Sequence, residues 1–316
     1  MKYKRLRWPL AYGMLLAVFT VYVLLDAFVI PRSYVVVDNG QSAQEDALSS
    51  DVQSGVGSSS PSESDDSSVS SADVTITSDA YNDGNISIQI TQYREYDTTI
   101  YVAGVTLSSA DELKTMFADN TYGKNVTETT SDIADACGAI LAINGDYYSA
   151  RSGYVIRNGV LYRDTSAGQD QEDLVIYDDG TMAVVSEGDY TAQELLEGGA
   201  EQVLSFGPGL VENGQISVTT AEEVSKAKVS NPRTAIGQID SLHYVLVVAD
   251  GRTSESKGLS LYEMAEFLQG LGVKNAYNLD GGGSSTMVFN GAVVNNPTTN
   301  GKKITEREVS DIVYIG

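Results

Sequence analysis

Hydrophobic and polar positions keep three different rhythms along this chain. Residues 10 to 30, LAYGMLLAVFTVYVLLDAFVI, are apolar almost without a break. As a helix they would reach about 31 Å, roughly the thickness of a bilayer core. Residues 38 to 73 are mostly Ser, Gly, Asp and Glu, with no Lys or Arg between Arg32 and Arg94, so they cannot bury enough apolar surface to fold. From about Asp79 onward apolar residues alternate or recur every three to four positions, as in a folded domain. The pattern therefore predicts a cytoplasmic tail over 1–9, a transmembrane anchor over 10–30, a disordered linker over 31–78 and a folded domain over 79–316.

Within the domain, NISIQITQY, TTIYVAGVTL and DLVIYDD alternate as strands. Asn158-Gly159 and Asp179-Gly180 mark two hairpins, YVIRNGVLYR and LVIYDDGTMAVV. Helices are predicted over Ser108 to Phe117, Ser131 to Cys137, Thr191 to Leu196 and through SLYEMAEFLQGLG. In the last, Ser260 and Glu263 form a capping box, and Leu261, Met264, Ala265 and Leu268 share one face. The fold class is α+β, with a mixed, largely antiparallel sheet and a few helices, preceded by one transmembrane helix and a disordered linker. VKNAYNLD reads as a short strand that delivers Asp280 to a sheet edge.

Charge narrows the partners. The formal net charge is −23, from 43 acids against 20 Lys and Arg, which argues against nucleic acid. Lys2, Lys4, Arg5 and Arg7 precede the apolar span and only Arg32 follows closely, so the N-terminus belongs in the cytoplasm and the domain outside the cell membrane. A cleaved signal peptide is the alternative, but no small-x-small site promptly follows the long apolar run. The single cysteine, Cys137, excludes an internal disulfide and sits in an apolar setting. The only histidine, His243, has no motif around it, and no GxSxG elbow accompanies it, so a serine triad is not indicated. No cofactor is called for. Calcium bound through carboxylates and carbonyls is conceivable in such an Asp- and Asn-rich domain, but no EF-hand spacing occurs.

The densest local signal is NLDGGGSSTM. Gly281, Gly282 and Gly283 allow positive φ, so successive N–H groups could line a concavity that binds an anionic oxygen, with Ser284, Ser285 and Thr286 adding hydroxyl donors. The same residues would also suit a glycine-rich bulge, and residue types do not choose between the two. GxxxxGK[ST] is absent, and a strand-like segment follows the glycines, so neither a P-loop nor a dinucleotide fold is indicated. Two other strands end in polar groups: LAINGDYY in Asn144, Gly145 and Asp146, while NPRTAIG opens with Arg233 and Thr234. Tyr147, Tyr148 and Tyr154 could stack on a sugar, although tyrosine is also an ordinary strand residue.

Together INGDYY, NPRTAIG, VVADGRTSESKGLSLYEMAEFLQGLGVKNAYNLDGGGSSTM and VSDIVYIG resemble the phosphodiester glycosidase family across most of residues 84–316. The resemblance implies an α+β domain that hydrolyses a sugar-1-phosphodiester at the anomeric carbon. Bacterial members are often described as exopolysaccharide biosynthesis proteins. Asn144, Gly145, Arg233, Thr234, Asp250, Gly251, Arg252, Asp280, Gly281 to Gly283 and Ser284 to Thr286 match the family's motifs. Asp146 departs from them, because the family often has glycine there.

Cleaving an anomeric bond usually needs two carboxyl groups. A phosphate monoester, with a second pKa near 6, leaves without a strong acid, so donors such as Arg233 matter more. Asp280 is the first candidate carboxylate, with Asp146 and Asp250 behind it. Asp250-Gly251 is also an ordinary turn, Arg233 could equally sit in a structural salt bridge, and Arg252 could be a rim contact or simply solvated. The implied substrate is a carbohydrate phosphodiester of the cell envelope or an exopolysaccharide. The alternative is a non-catalytic module that binds the phosphosugar.

Overall fold

Alternation along each strand decides how the layers stack. The computed structural model describes residues 7–36, 74–221 and 230–316. Its centre is a nine-stranded sheet whose inner strands include Thr98–Leu107, Arg233–Asp240, His243–Ala249 and Asn275–Asn278. Neighbours pair antiparallel, with Ala235 opposite Val247 and Asn278, and Val247 opposite Val102. Ile236, Leu246, Val248 and Tyr277 point to one face; Ala235, Val245, Val247 and Ala276 point to the other. Both faces are therefore core, which the period of two along a strand requires.

Two five-stranded sheets cover the first face. One carries Leu141–Asn144 between Met287–Phe289 and Asp311–Ile315, and the other carries Glu172–Tyr177 between Met182–Ser186 and Ala200–Leu204. The helix Leu261–Gly270 covers the second face with Leu261, Met264, Ala265 and Leu268. Its start is set as expected: the Ser260 hydroxyl accepts from the Glu263 N–H, and the Glu263 carboxylate accepts from the Ser260 N–H. Helices Thr130–Cys137 and Ala192–Glu197 cap the outer faces of the two smaller sheets. The antiparallel α+β class is that read from the sequence, and both hairpins form, with Asn158 and Gly159 each at positive φ.

Two expectations need correction. Ser108 to Phe117 is not a helix: Ser109 caps a single turn, Ala110–Glu112, and Leu113–Phe117 continues as an edge strand beside Asp311–Ile315. Leu113, Thr115 and Phe117 alternate inward, and the paired strand outweighs the helix-like opening of the segment. Arg32–Val36, expected to lie in the linker, is a strand paired with Thr121–Lys124. The rest of that linker, 37–73, lies outside the described residues. The N-terminal apolar helix runs Arg7–Phe28 and is long and apolar enough to cross a membrane.

One interior carboxyl gives the fold a pH signature. Asp173 lies fully buried in Glu172–Tyr177, and burial, reinforced by the nearby Glu187 carboxylate, pushes its pKa up to about 8. The folded chain keeps a proton there that the unfolded chain releases near pH 4. That contribution to stability is complete below about pH 4 and lost as pH rises through about 8. Asp173→Asn is expected to flatten the slope and to exceed the parent at pH 9 by on the order of 1–3 kcal/mol, read by denaturant titration at several pH values.

Candidate active site

Asn144 ends its strand inside the protein, fully buried, and its side-chain amide ties several chain segments together. Its Oδ1 accepts from the Thr234 hydroxyl at 2.8 Å and from the Thr286 N–H at 3.3 Å. Its Nδ2 donates to the Asp280 carbonyl at 2.6 Å. The Asp280 N–H in turn donates to the Gly145 carbonyl at 3.1 Å. The ends of the strands carrying Asn144, Thr234 and Asp280 thus converge at one point.

At that point the Asp280 carboxylate meets two donors through Oδ2, Ser284 Oγ at 2.6 Å and Arg307 Nη2 at 2.9 Å. Among the described residues no donor reaches its Oδ1. Arg307 Nε also donates to Ser284 Oγ at 2.9 Å. Arg307 was missed in the sequence, where KKITEREVSD looks like a solvated charged run. The only signal available was its place in a long irregular segment that leads into the closing strand, where function tends to concentrate.

The Arg252 guanidinium presses on the glycine run, and the stem of Arg233 passes Gly281. Arg252 Nε and Nη2 both donate to Asn231 Oδ1, at 3.2 and 3.1 Å, and Nη1 donates to the Thr299 carbonyl at 2.6 Å. Its backbone takes the left-handed φ of 62°, a costly setting for a non-glycine residue that is typical of functional sites. Arg233 is buried, and its Nε donates to the Leu259 carbonyl at 2.9 Å. Burial first, then repulsion from Arg252, pushes the Arg233 pKa down to about 10, against the pull of Glu263. Burial and the charge of Arg307 likewise lower that of Arg252. Arg233, Arg252 and Arg307 are thus successive neighbours, with Glu263 facing Arg233 and Asp280 paired with Arg307.

The glycines are there to let these groups approach. A Cβ on Gly282 would stand 2.8 Å from Arg252 Nη2, one on Gly281 would stand 2.9 Å from the Pro232 carbonyl, and one on Gly283 would stand 2.5 Å from Thr299 Oγ1. Gly282 also needs its φ of 65°. The expected row of free amides is not what forms. The segment makes a short 3-10 turn in which the Gly282 N–H donates to Pro232 and the Ser284 and Ser285 amides close the turn. Positive charge comes from the arginines, and the glycines provide clearance.

The other candidate carboxylates are engaged by other partners. Asp146 is buried and accepts from Arg157 at 2.9 Å, from the Tyr148 N–H at 3.0 Å and from the Ser205 N–H at 2.8 Å. Arg157 also reaches Asp311 at 2.8 Å, and burial with the Asp146 charge pushes the Asp311 pKa up to about 7, against the pull of Arg157. Gly145 is required by that same ion cluster, because its Cβ would lie 2.4 Å from Asp311 Oδ1. Asp250 accepts from the Asn296 N–H at 2.9 Å and from both Asn295 and Asn296 side chains, so it organises a turn. Ser285 and Thr286 are buried with hydroxyls that meet no partner among the described residues, leaving Ser284 as the hydroxyl that joins Asp280 and Arg307. Tyr148 and Tyr154 are interior, and Tyr147 alone of the three is exposed. Among the described residues no group of three His, Cys, Asp or Glu side chains is disposed to hold a metal ion.

The family model described as phosphodiester glycosidase matches residues 137–316, more than half of the chain and all of this constellation. The chain belongs to the phosphodiester glycosidase family. Human N-acetylglucosamine-1-phosphodiester alpha-N-acetylglucosaminidase is 36% identical over 187 residues, covering 54% of this chain and 36% of that protein. The SPbeta prophage-derived protein YomE of Bacillus subtilis is 33% identical over 180 residues, covering 55% of this chain and 28% of that protein. The chain thus spans about a third of the length of the curated relatives it matches. The catalytic domain of the zebrafish enzyme, described as auto-inhibited by its pro-peptide, superposes with a TM-score of 0.59 at 23% identity. That match covers 73% of this chain and 82% of that one, and it establishes a shared fold.

Two measurements probe the site of this family member. Asn144→Ala removes a buried amide with partners on three segments, and a loss of about 3 kcal/mol is expected in denaturant titration. Inorganic phosphate is expected to raise the melting temperature at neutral pH, and Arg252→Gln to remove most of that rise.

Proposed function

We propose that this family member hydrolyses glycosyl-1-phosphodiesters. The observation that carries the reading is the contact of Arg307 with Asp280 beside a glycine turn that Arg252 and the stem of Arg233 also approach. A phosphodiester has one negative charge and two free oxygens, which suits guanidinium donors, while a longer polyanion would be repelled by the acidic remainder of the chain. Hydrolysis between the anomeric carbon and the phosphate oxygen releases a phosphate monoester, whose charge grows as it departs. Guanidiniums fixed where that charge develops lower the barrier, and no strong acid is needed to assist departure.

Asp280 is the carboxylate within the cluster. Ser284 and Arg307 hold its Oδ2, which orients Oδ1 to activate water or to attack the sugar carbon. Arg307 and Ser284 act on substrate through that carboxylate as well as through charge. In this reading the apolar helix anchors the protein in the cell membrane with the domain outside, and the substrate is a phosphodiester of the envelope or of an exopolysaccharide.

One observation favours a second reading, a module that binds phosphosugar without cleaving it. Asp146 and Asp250 are committed to Arg157 and to Asn295–Asn296, so Asp280 stands in the cluster without the usual second carboxyl. Incubating the full chain in detergent with GlcNAc-1-phosphate methyl ester separates the two. Release of free sugar is expected, falling at least a hundredfold in Asp280→Asn and about tenfold or more in Arg307→Lys. Binding without release, unaltered by Asp280→Asn, would support the module instead.

A further inference from the structure

The strand Arg32–Val36 begins four residues after the apolar helix ends, yet it is part of the folded domain. Arg32 pairs with Lys124, Ser33 with Gly123 and Val35 with Tyr122. Gly123 is what admits it, since a Cβ there would sit 2.2 Å from the Arg32 carbonyl oxygen. The junction has its own ties: Asn125 Nδ2 donates to the Ile30 carbonyl at 3.1 Å, and Arg32 pairs with Asp26. Tyr34 packs on Tyr122 with ring centroids 5.8 Å apart, and Tyr122 stacks on Tyr148, two residues from Asp146.

The same edge leads directly to the arginine cluster. Three residues past Lys124, the Thr127 hydroxyl donates to Glu308 at 2.8 Å, and Glu128 bridges Val309. Arg307 is therefore one residue from a contact with the segment that holds the helix exit. Summing the chain steps puts it no more than about 30 Å from Arg32. The Ser-rich segment over 37–73, acting as an extended tether, would allow about 120 Å. The surface around this edge suits a bilayer face. Val29, Ile30, Tyr34 and Val35 are exposed beside the helix, and Lys302, Lys303 and Ile304 are exposed on the segment carrying Arg307.

We infer that the strand Arg32–Val36 docks the domain against the membrane exit, holding the arginine cluster at the bilayer surface to act on a glycosyl phosphodiester carried by a membrane lipid. The inference rests on the membrane-anchored hydrolase reading for its substrate, and on the strand pairing alone for its geometry. In the docked arrangement the strand Arg32–Val36, and not the length of residues 37–73, sets the height of the site. An exposed basic and apolar tip beside the site fits an anionic lipid surface.

The test places a flexible Gly-Ser spacer of about ten residues at one of two positions in the full chain reconstituted in phosphatidylglycerol–phosphatidylcholine vesicles. Placed between Ile30 and Pro31, ahead of the strand, it should lower turnover of a vesicle-borne GlcNAc-1-phospholipid about tenfold while leaving the soluble methyl ester within about twofold. Placed within residues 45–60, behind the strand, it should change neither. Equal effects from the two spacers, or no effect from the first, would overturn the inference. So would higher turnover of the soluble ester with the first spacer, since the strand would then be covering the site.

If neither substrate is turned over, the hydrolase reading fails with its lipid substrate, and docking is decided by cross-linking. Arg32→Cys with Lys124→Cys, in a Cys137→Ala background, should form an intrachain disulfide that keeps helix and domain joined after proteolysis within 37–73. Release of the domain under oxidising conditions would rule docking out.

Discussion

The buried side chain of Asn144 is the constraint on which the rest of the site depends. One planar amide accepts from Thr234 and from the backbone at Thr286, and donates to the backbone at Asp280. These partners lie on different strands and on the turn after the glycines, so satisfying all of them at once fixes where those pieces end. A buried amide left without partners costs about 1–3 kcal/mol for each lost bond, which makes slippage of any one strand expensive. Asp280 is delivered to the cluster as a consequence of that registration, and its side chain is then free to meet Arg307 and Ser284.

Electrostatics explains why the surroundings look as they do. Burial first, and then repulsion from a neighbouring guanidinium, raises the free energy of the charges on Arg233 and Arg252, as their lowered pKa values record. The cost persists because rigid carbonyls and one asparagine hold the guanidiniums in place: Leu259 for Arg233, and Thr299 with Asn231 for Arg252. Arg157 shows the opposite design. It lies between Asp146 and Asp311 deep in the interior, where its charge is neutralised.

Much of the scaffold was legible because local pattern and tertiary demand agreed. The strand over Thr98–Leu107, the capped helix after Ser260 and the Asn158-Gly159 hairpin each carry a physical signal within a few residues. Ser108 to Phe117 misled because its acidic opening resembles a helix start, while its strand identity depends on Asp311–Ile315, two hundred residues away. Arg32–Val36 was hidden similarly: five residues between an apolar helix and a polar tract have no pattern of their own, and only Thr121–Lys124 makes them a strand. Asp280, Arg233, Arg252 and the glycines stood out through their motifs, although the reason for the glycines is steric clearance for side chains. Arg307 had no such mark, since its role comes from a contact 27 residues distant with Asp280.

The central claim is that the three guanidiniums and Asp280 form one phosphodiester site. A crystal structure of the Asp280→Asn protein with an uncleaved glycosyl phosphodiester tests it most directly. The account predicts the phosphate within hydrogen-bonding distance of Arg252 and Arg307, with the sugar carbon facing residue 280. Density for the ligand elsewhere, for instance in the cleft of about 570 Å³ lined by Lys114, Asn158, Glu201 and Tyr314, would contradict it.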